Sequence, residues 1–125
     1  HEHGVHYLRV HHNVAYDVMG HTYFLEDGIE TKNTFIGNLG VLTRASNALL
    51  STDQTPATFW ITNGDNTWSG NVAAGSDNYG FWFKPSIIPD GASEGTPEAQ
   101  GVCPQGMPLG LFTDNVAHSN GRYGL

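Results

Sequence analysis

The sequence predicts an all-β fold in which short parallel strands wind into a solenoid, a parallel β-helix. Two observations support this prediction. The apolar segments are only about four to six residues long and are rich in β-branched and aromatic residues, which is typical of strands. Segments that begin with asparagine and lead to a glycine recur along the chain, at intervals typical of solenoid repeats. No stretch of the sequence has a convincing helical periodicity.

Four asparagine-led segments mark the expected coils. In chain order they begin at Asn13, Asn33, Asn71 and Asn115, at spacings of 20, 38 and 44 residues. A glycine and then an apolar run follow each asparagine, and these runs are residues 23–25, 41–42, 81–83 and 123–125. Two insertions, residues 43–56 and 84–108, are rich in turn residues and proline, so they are expected to be long surface loops. Without them the period is roughly 19–24 residues.

The recurring asparagines are expected to form a structural ladder of Asn13, Asn33, Asn71 and Asn115. Asparagine tolerates left-handed backbone geometry at a corner, and its amide group can bond the asparagine of the next coil. The alternative is a row of amides that binds a ligand. The chain stops partway through a repeat, so we expect about three and a half coils of a longer β-helix. Its open strand edges would pair with further coils or with neighbouring subunits.

Composition and charge exclude several classes of protein. The 125 residues are 38% hydrophobic and 14% charged with 16 glycines, too apolar for a disordered chain and too glycine-rich for a helical bundle. The net charge is −7 and the five basic residues are scattered, so nucleic acid is not an expected partner. No apolar run approaches about 18 residues, so we expect no membrane span. The single cysteine, Cys103, cannot form a disulfide within the chain.

Four motifs in the same order resemble one known family. They are NVAYDVMGHTYFLEDGIETKNTFIGNLGVL, TPATFWITNGDN, NVAAGSDNYGFWF and PLGLFTDNVAHSN. The resemblance extends over residues 3–125. It is a resemblance to the β-helix domain of fibrocystin-L and of the CEMIP-type cell-surface and secreted hyaluronidases.

The resemblance implies a right-handed, single-stranded parallel β-helix in an extracellular or cell-surface location. Residues 1–125 would then be one β-helix segment of a large parent protein. Two roles are implied. One is a structural or glycan-interacting module of a fibrocystin-L-like surface or fibre-forming protein, and the other is a hyaluronan-type polysaccharide depolymerase, a glycoside hydrolase. A glycan or extracellular-matrix polysaccharide is the expected partner in both, although the scattered basic residues do not form the cationic cleft that suits a polyanion.

The carboxylates that follow residues 23–25 are candidates for acid–base chemistry. Glycoside hydrolysis needs two carboxyl groups, about 5–5.5 Å or 6.5–9.5 Å apart. Glu26 and Asp27 are adjacent and would point to opposite faces of a strand, so they do not readily form that pair. Together with His21 they are still the best candidates for catalytic or ion-binding groups. The alternative is that Asp27 begins a turn with Gly28.

Histidines crowd the start of the chain. His1 and His3 would share one face of a strand, as metal ligands do. No cofactor is predicted, but a divalent metal held by His1 and His3 is one hypothesis. The alternatives are acid–base catalysis near neutral pH and ordinary hydrogen-bonded positions in strands and turns.

Two tryptophans are candidates for glycan contact. In ATFWITN, Phe59 and Ile61 share one face of a strand while Trp60 points the other way. In YGFWF, Trp82 opposes its phenylalanine neighbours in the same manner. Trp60 and Trp82 are therefore expected to face outward, where the long loops cover them or where they stack on a sugar ring.

Overall fold

The computed structural model describes residues 1–47 and 51–125, and it consists of short strands joined by turns and two long connections. The strands are β1 (Arg9–His11), β2 (Val14–Met19), β3 (Tyr23–Phe24), β4 (Thr34–Ile36), β5 (Leu39–Arg44), β6 (Ala57–Ile61), β7 (Thr67–Ser69), β8 (Val72–Ala74), β9 (Tyr79–Phe83), β10 (Leu111–Thr113) and β11 (Val116–His118). Four 3-10 turns lie in the long connections, at Ser51–Gln54, Gly91–Ser93, Pro97–Ala99 and Pro104–Gly106. None of the described helical segments is long and apolar enough to cross a membrane.

The strands form three parallel sheets. Each of the first three coils adds one strand to each sheet, and the last coil adds a strand to the first two sheets. The first sheet has the order β1-β4-β7-β10, the second β11-β8-β5-β2 and the third β3-β6-β9. Single bridges, Glu2 to Leu25 and Tyr79 to Tyr123, extend the third sheet at both edges. Every pairing is parallel. The prediction of a parallel β-helix is therefore confirmed.

Aromatic residues at equivalent positions of successive coils stack in the interior. The rings of Tyr23 and Phe59 lie 4.7 Å apart and nearly parallel, and those of Phe59 and Phe81 lie 4.6 Å apart. The rings of Phe35 and Trp68 stack at 4.0 Å in the same way. Because these side chains are large and mostly buried, their stacking sets the register between coils as well as supplying much of the apolar burial.

A ladder of asparagines runs along the corner between the first and second sheets. The side-chain amide of Asn13 donates to Asn38, that of Asn38 to Asn71 and that of Asn71 to Asn115, each at 3.0 Å. The members are 25, 33 and 44 residues apart. The amides of Asn38 and Asn71 are buried and bonded, which leaves them unavailable to a ligand.

The prediction that Asn33 belongs to this ladder was wrong. Asn33 lies at a different corner, where its backbone N–H donates to the side chain of Asn66 at 2.9 Å and its own side-chain oxygen accepts from Leu8. Asn38 holds the expected position in the ladder. The second and third coils each carry an asparagine at both corners, Asn33 with Asn38 and Asn66 with Asn71, so the sequence pattern alone could not distinguish the two corners.

The left-handed residue at the ladder corner precedes the asparagine. It is His12, Gly37, Gly70 or Asp114, with φ between 54° and 63°. The asparagines themselves do not have positive φ, contrary to the expectation. The two tasks are thus divided between neighbouring residues: the first turns the chain, and the asparagine that follows it supplies its amide to the neighbouring coil.

The two long connections flank strands of the third sheet, since one precedes β6 and the other follows β9. One joins β5 to β6, and three of its residues, 48–50, lie outside the described part of the chain. The other joins β9 to β10 and contains three of the 3-10 turns. Residues of both connections reach the outer face of the third sheet, where they enclose the site described next.

Candidate functional site

A second apolar cluster lies on the outer face of the third sheet. Because neighbouring residues of a strand point to opposite faces, Trp60 lies outside while Phe59 lies in the core. Trp60 is only 6% exposed, and its ring lies 4.1 Å from that of His21. Trp82 is half-buried and stacks on Tyr79 at 4.1 Å. Both tryptophans lie on the outer face, but packing against His21 and Phe24 covers most of Trp60.

A cavity of about 540 Å³ opens between this outer face and the two long connections. Phe24 and Trp60 supply apolar lining from the sheet, and Glu26 supplies a carboxyl group. The rest of the lining comes chiefly from the connections and includes Thr52, Lys84, Ser86, Asp90 and Gly91. Trp82 is not part of the lining. An aromatic floor with a few charged groups at its rim is the usual composition of a binding site for a small polar ligand.

Two carboxyl groups face this cavity. Burial raises the pKa of Glu26 above its ordinary value; the charge of His3 opposes this effect, and the charge of Asp27 adds to it. Burial also raises the pKa of Asp90, and the charges of Asp27 and Glu26 add to that effect. The carboxyl group of Glu26 is therefore close enough to Asp90 to disfavour its ionisation.

Lys84 is the cation of the cavity. Two of the other basic residues are paired, Lys32 with Asp65 at 2.6 Å and Arg44 with Asp17 at 2.5 Å. Within the described residues, Lys84 makes no ion pair. Its ammonium group is therefore available to an anionic ligand.

Asp27 does not face the cavity. It is fully buried, and one of its oxygens accepts from the Ser93 hydroxyl at 2.6 Å while the other accepts from the Ala92 N–H at 3.2 Å. Its backbone carbonyl accepts the N–H of Asp90 at 3.0 Å. Asp27 thus ties the β9–β10 connection to the turn after β3, which is an anchoring role rather than contact with a ligand.

Glu30 stabilises the same turn from within. Its buried carboxylate accepts the backbone N–H groups of Gly4, Asp27 and Gly28 at 3.1, 3.1 and 2.7 Å. Burial raises the pKa of Glu30, and these hydrogen bonds oppose the effect. The carboxylate of Glu30 therefore stabilises the turn that the sequence suggested at Asp27 and Gly28.

The two expected metal-binding histidines converge on Glu26. The Nε2 atom of His1 contacts Glu26 Oε2, and the Nε2 atom of His3 lies 3.3 Å from the same oxygen. The Nδ1 atom of His3 lies 2.8 Å from Asp27 Oδ1. This hydrogen bond raises the pKa of His3. One ligand atom from each of His1, His3 and Glu26 lies within 4.8 Å of the others.

His21 lies apart from this group. It lines a smaller cavity of about 180 Å³ with His1, Phe24 and Asp53, while Glu26 lines the larger one. Its Nδ1 accepts the N–H of Ala57 at 3.0 Å, and burial lowers its pKa to about 4. The structure therefore places Glu26, Asp27 and His21 in three different environments and does not bring them to one reacting atom.

Sequence analysis missed Lys84, Asp90 and Ser93, which all lie in the β9–β10 connection. Lys84 follows β9 directly, so its position beside the outer face could have been inferred from the strand. Asp90 and Ser93 had no such signal, because the path of a long proline-rich loop does not follow from its composition.

Comparison with known proteins identifies the family of the chain. The family model described as the CEMIP beta-helix matches residues 2–125. Mouse fibrocystin-L is 43% identical over 98% of this chain, which corresponds to 3% of that protein. The human cell surface hyaluronidase CEMIP2 is 36% identical over 98% of this chain and 10% of its own length.

A third relative has a name that refers to hyaluronan. The human cell migration-inducing and hyaluronan-binding protein is 34% identical over 98% of this chain and 11% of its own length. The chain thus spans a small part of each of these relatives. The match to the family model over almost all of the chain shows that it belongs to the CEMIP beta-helix family.

Proposed function

We propose that this chain is an extracellular or cell-surface β-helix module that binds an anionic glycan, and that the ligand is hyaluronan or a similar uronic-acid polymer. The single observation that carries the proposal is the cavity of about 540 Å³ between the third sheet and the long connections. It combines an aromatic floor, Phe24 and Trp60, with the unpaired cation Lys84. The names of the hyaluronidase and hyaluronan-binding relatives support the choice of ligand.

Each part of the cavity suits a sugar ring in a different way. The apolar face of a pyranose packs on aromatic carbon, which Phe24 and Trp60 supply. The hydroxyl groups of Thr52, Thr62 and Ser86 line the cavity. Those of Thr62 and Ser86 already donate to the carbonyls of Leu25 and Ile88, so they would accept hydrogen bonds from sugar hydroxyls. The ammonium group of Lys84 would bind the uronate carboxylate in a charge-assisted hydrogen bond.

Calorimetric titration with a short hyaluronan oligosaccharide tests the proposal. We expect saturable binding that weakens about 10-fold in Lys84→Ala, the loss of one charge-assisted hydrogen bond. Lys32→Ala removes the same charge from a residue that is paired with Asp65 outside the cavity, and it should bind as the unmodified chain does. A neutral oligosaccharide of similar length should bind more weakly. Absence of saturable binding, or equal losses in the two lysine variants, would contradict the proposal.

A second candidate function is the depolymerisation of hyaluronan. It is favoured by one observation, that Glu26 and Asp90 line the same cavity and that burial raises the pKa of both. A glycosidase needs one carboxyl group that stays protonated as the general acid and one that is ionised. Asp90 would be the second carboxyl group of such a pair with Glu26. Asp27 follows Glu26 in the sequence but is fully buried and does not line the cavity.

The length of hyaluronan polymer after incubation with the protein decides between binding and cleavage. Shortening by the unmodified chain that is lost in both Glu26→Gln and Asp90→Asn would establish the hydrolase. Unchanged polymer length, together with saturable oligosaccharide binding, would leave binding as the function of this module.

A further inference from the structure

We infer that His1, His3 and Glu26 form a binding site for a divalent transition metal of the Zn²⁺ class. Their three ligand atoms lie within 4.8 Å of one another. Two imidazoles and one carboxylate are a ligand set that proteins use for Zn²⁺ when a fourth position is left open to water or another ligand. The inference does not depend on the proposed glycan binding.

The spacing of two of the atoms suits one shared ion. Ligand atoms that bind Zn²⁺ at about 2.0–2.1 Å with tetrahedral angles are about 3.4 Å apart. The Nε2 atom of His3 lies 3.3 Å from Glu26 Oε2. His1 comes closer to the same oxygen, and its exposed side chain has room to withdraw when an ion separates the two groups.

An outer group fixes the orientation of His3. Its Nδ1–H donates to Asp27 Oδ1 at 2.8 Å, which leaves the lone pair of Nε2 directed toward Glu26. Asp27 is itself held by the Ser93 hydroxyl at 2.6 Å and is fully buried. A carboxylate that orients a histidine in this way is a recurrent feature of metal sites, where it fixes the tautomer and increases ligand basicity.

The local charge also favours a cation. The carboxylates of Asp27 and Glu30 lie in the same turn as Glu26, and their negative charges repel one another. A bound divalent ion would offset that repulsion. Because Glu26 belongs to the lining of the large cavity, the open position of the ion would be near the site proposed for the glycan.

The alternative is that these three side chains and Asp27 form two ordinary ion pairs, His1 with Glu26 and His3 with Asp27. These arrangements differ in their response to Zn²⁺ alone. Calorimetric titration of Zn²⁺ into the chain with an acetylated amino terminus, which removes the terminal amine as a competing ligand, separates them. We expect one Zn²⁺ per chain.

Variants locate the bound ion. His3→Gln and Glu26→Gln should each weaken Zn²⁺ binding by at least about 10-fold, and Asp27→Asn, which removes the orienting carboxylate, by about 10-fold. His118→Gln, a change at an exposed histidine of β11, is the matched control and should have no effect. Because His3 is hydrogen-bonded to buried Asp27, thermal unfolding of the metal-free His3→Gln protein is measured first, and the titrations are made at a temperature at which it is fully folded.

A spectroscopic measurement gives the second test. Co²⁺ in a site of imidazole and carboxylate ligands should give visible absorption bands that His3→Gln abolishes and His118→Gln retains. The inference would be overturned if the unmodified chain bound no Zn²⁺, or if His3→Gln and His118→Gln bound it equally well. Because these titrations contain no glycan, their failure is distinct from a failure of the proposed glycan binding.

Discussion

The side-chain amide of Asn38 donates to Asn71 Oδ1 at 3.0 Å and to the backbone carbonyl of Val10 at 2.7 Å. Its own oxygen accepts both the backbone and the side-chain N–H of Asn13. One buried side chain therefore joins three successive coils. The ladder replaces backbone pairing at a corner where the strands are interrupted, and each of its members satisfies polar groups that would otherwise be unpaired.

Replacement of Asn38 by alanine should destabilise the fold by about 2–4 kcal/mol, because it leaves buried donors and acceptors of neighbouring coils without partners. The measurement is the free energy of unfolding in urea. Asn47→Ala, at an exposed position, is the control and should change stability by less than about 0.5 kcal/mol. An Asn38→Ala protein as stable as the control would show that the ladder contributes no net stability.

His21 should make the stability of the protein depend on pH. Burial lowers its pKa to about 4, whereas an unfolded histidine titrates near 6.5. As the pH falls below that value, the unfolded state binds the proton first, so stability is lost with decreasing pH. From about pH 7 to about pH 5 the expected loss is about 2 kcal/mol.

Comparison with His21→Gln isolates this effect. Carboxyl groups whose pKa is raised by burial, such as Glu30, change stability in the opposite direction, but they do so in both proteins. The free energy of unfolding of the variant should therefore decrease less between pH 7 and pH 5. Identical pH dependence in the two proteins would mean that His21 is protonated as easily in the folded state as in the unfolded one.

The β9–β10 connection should be sensitive to a methyl group at Gly91. This glycine has φ +57°, and a Cβ atom there would collide with the Asp27 carboxylate. We expect Gly91→Ala to cost about 1–3 kcal/mol and to weaken oligosaccharide binding, because the loop would move away from the cavity.

Gly95→Ala is the control for that change. Gly95 has φ +71° in the same connection, and no atom lies within 4 Å of the added methyl group. Both variants bear the backbone strain, but only Gly91→Ala disturbs Asp27. Thermal unfolding and oligosaccharide titration of the two proteins should differ, and equal behaviour would indicate that contact with Asp27 does not position the loop.

The sequence was sufficient for the fold because its strongest signals are local. Short strands, corner asparagines and the alternation that separates Phe59 from Trp60 all follow from residues that are neighbours in the chain. The assignment of Asn33 to the ladder failed because it required the length of each coil. The coils differ in length, with ladder spacings of 25, 33 and 44 residues, and a second corner asparagine gave an equally plausible alignment.

The candidate site was predicted only in part, for a physical reason. The proximity of Glu26 to His1 and His3 depends on one turn of the solenoid, and the sequence suggested each residue separately. Asp90 and Ser93 reach the site through a loop whose path is set by hydrogen bonds to buried Asp27. Such long-range contacts leave no periodic signal in the sequence.

Glycan binding in the cavity is tested most directly by an NMR titration with a hyaluronan oligosaccharide, in which the tryptophan indole N–H resonances are observed. Trp60 lines the cavity, whereas Trp68 is fully buried in the core and serves as an internal control. Glycan binding in the cavity should give a saturable shift of the Trp60 indole and of the Gly91 amide, with the Trp68 indole unchanged. Binding that leaves Trp60 and Gly91 unshifted, or no binding at saturating oligosaccharide, would contradict it.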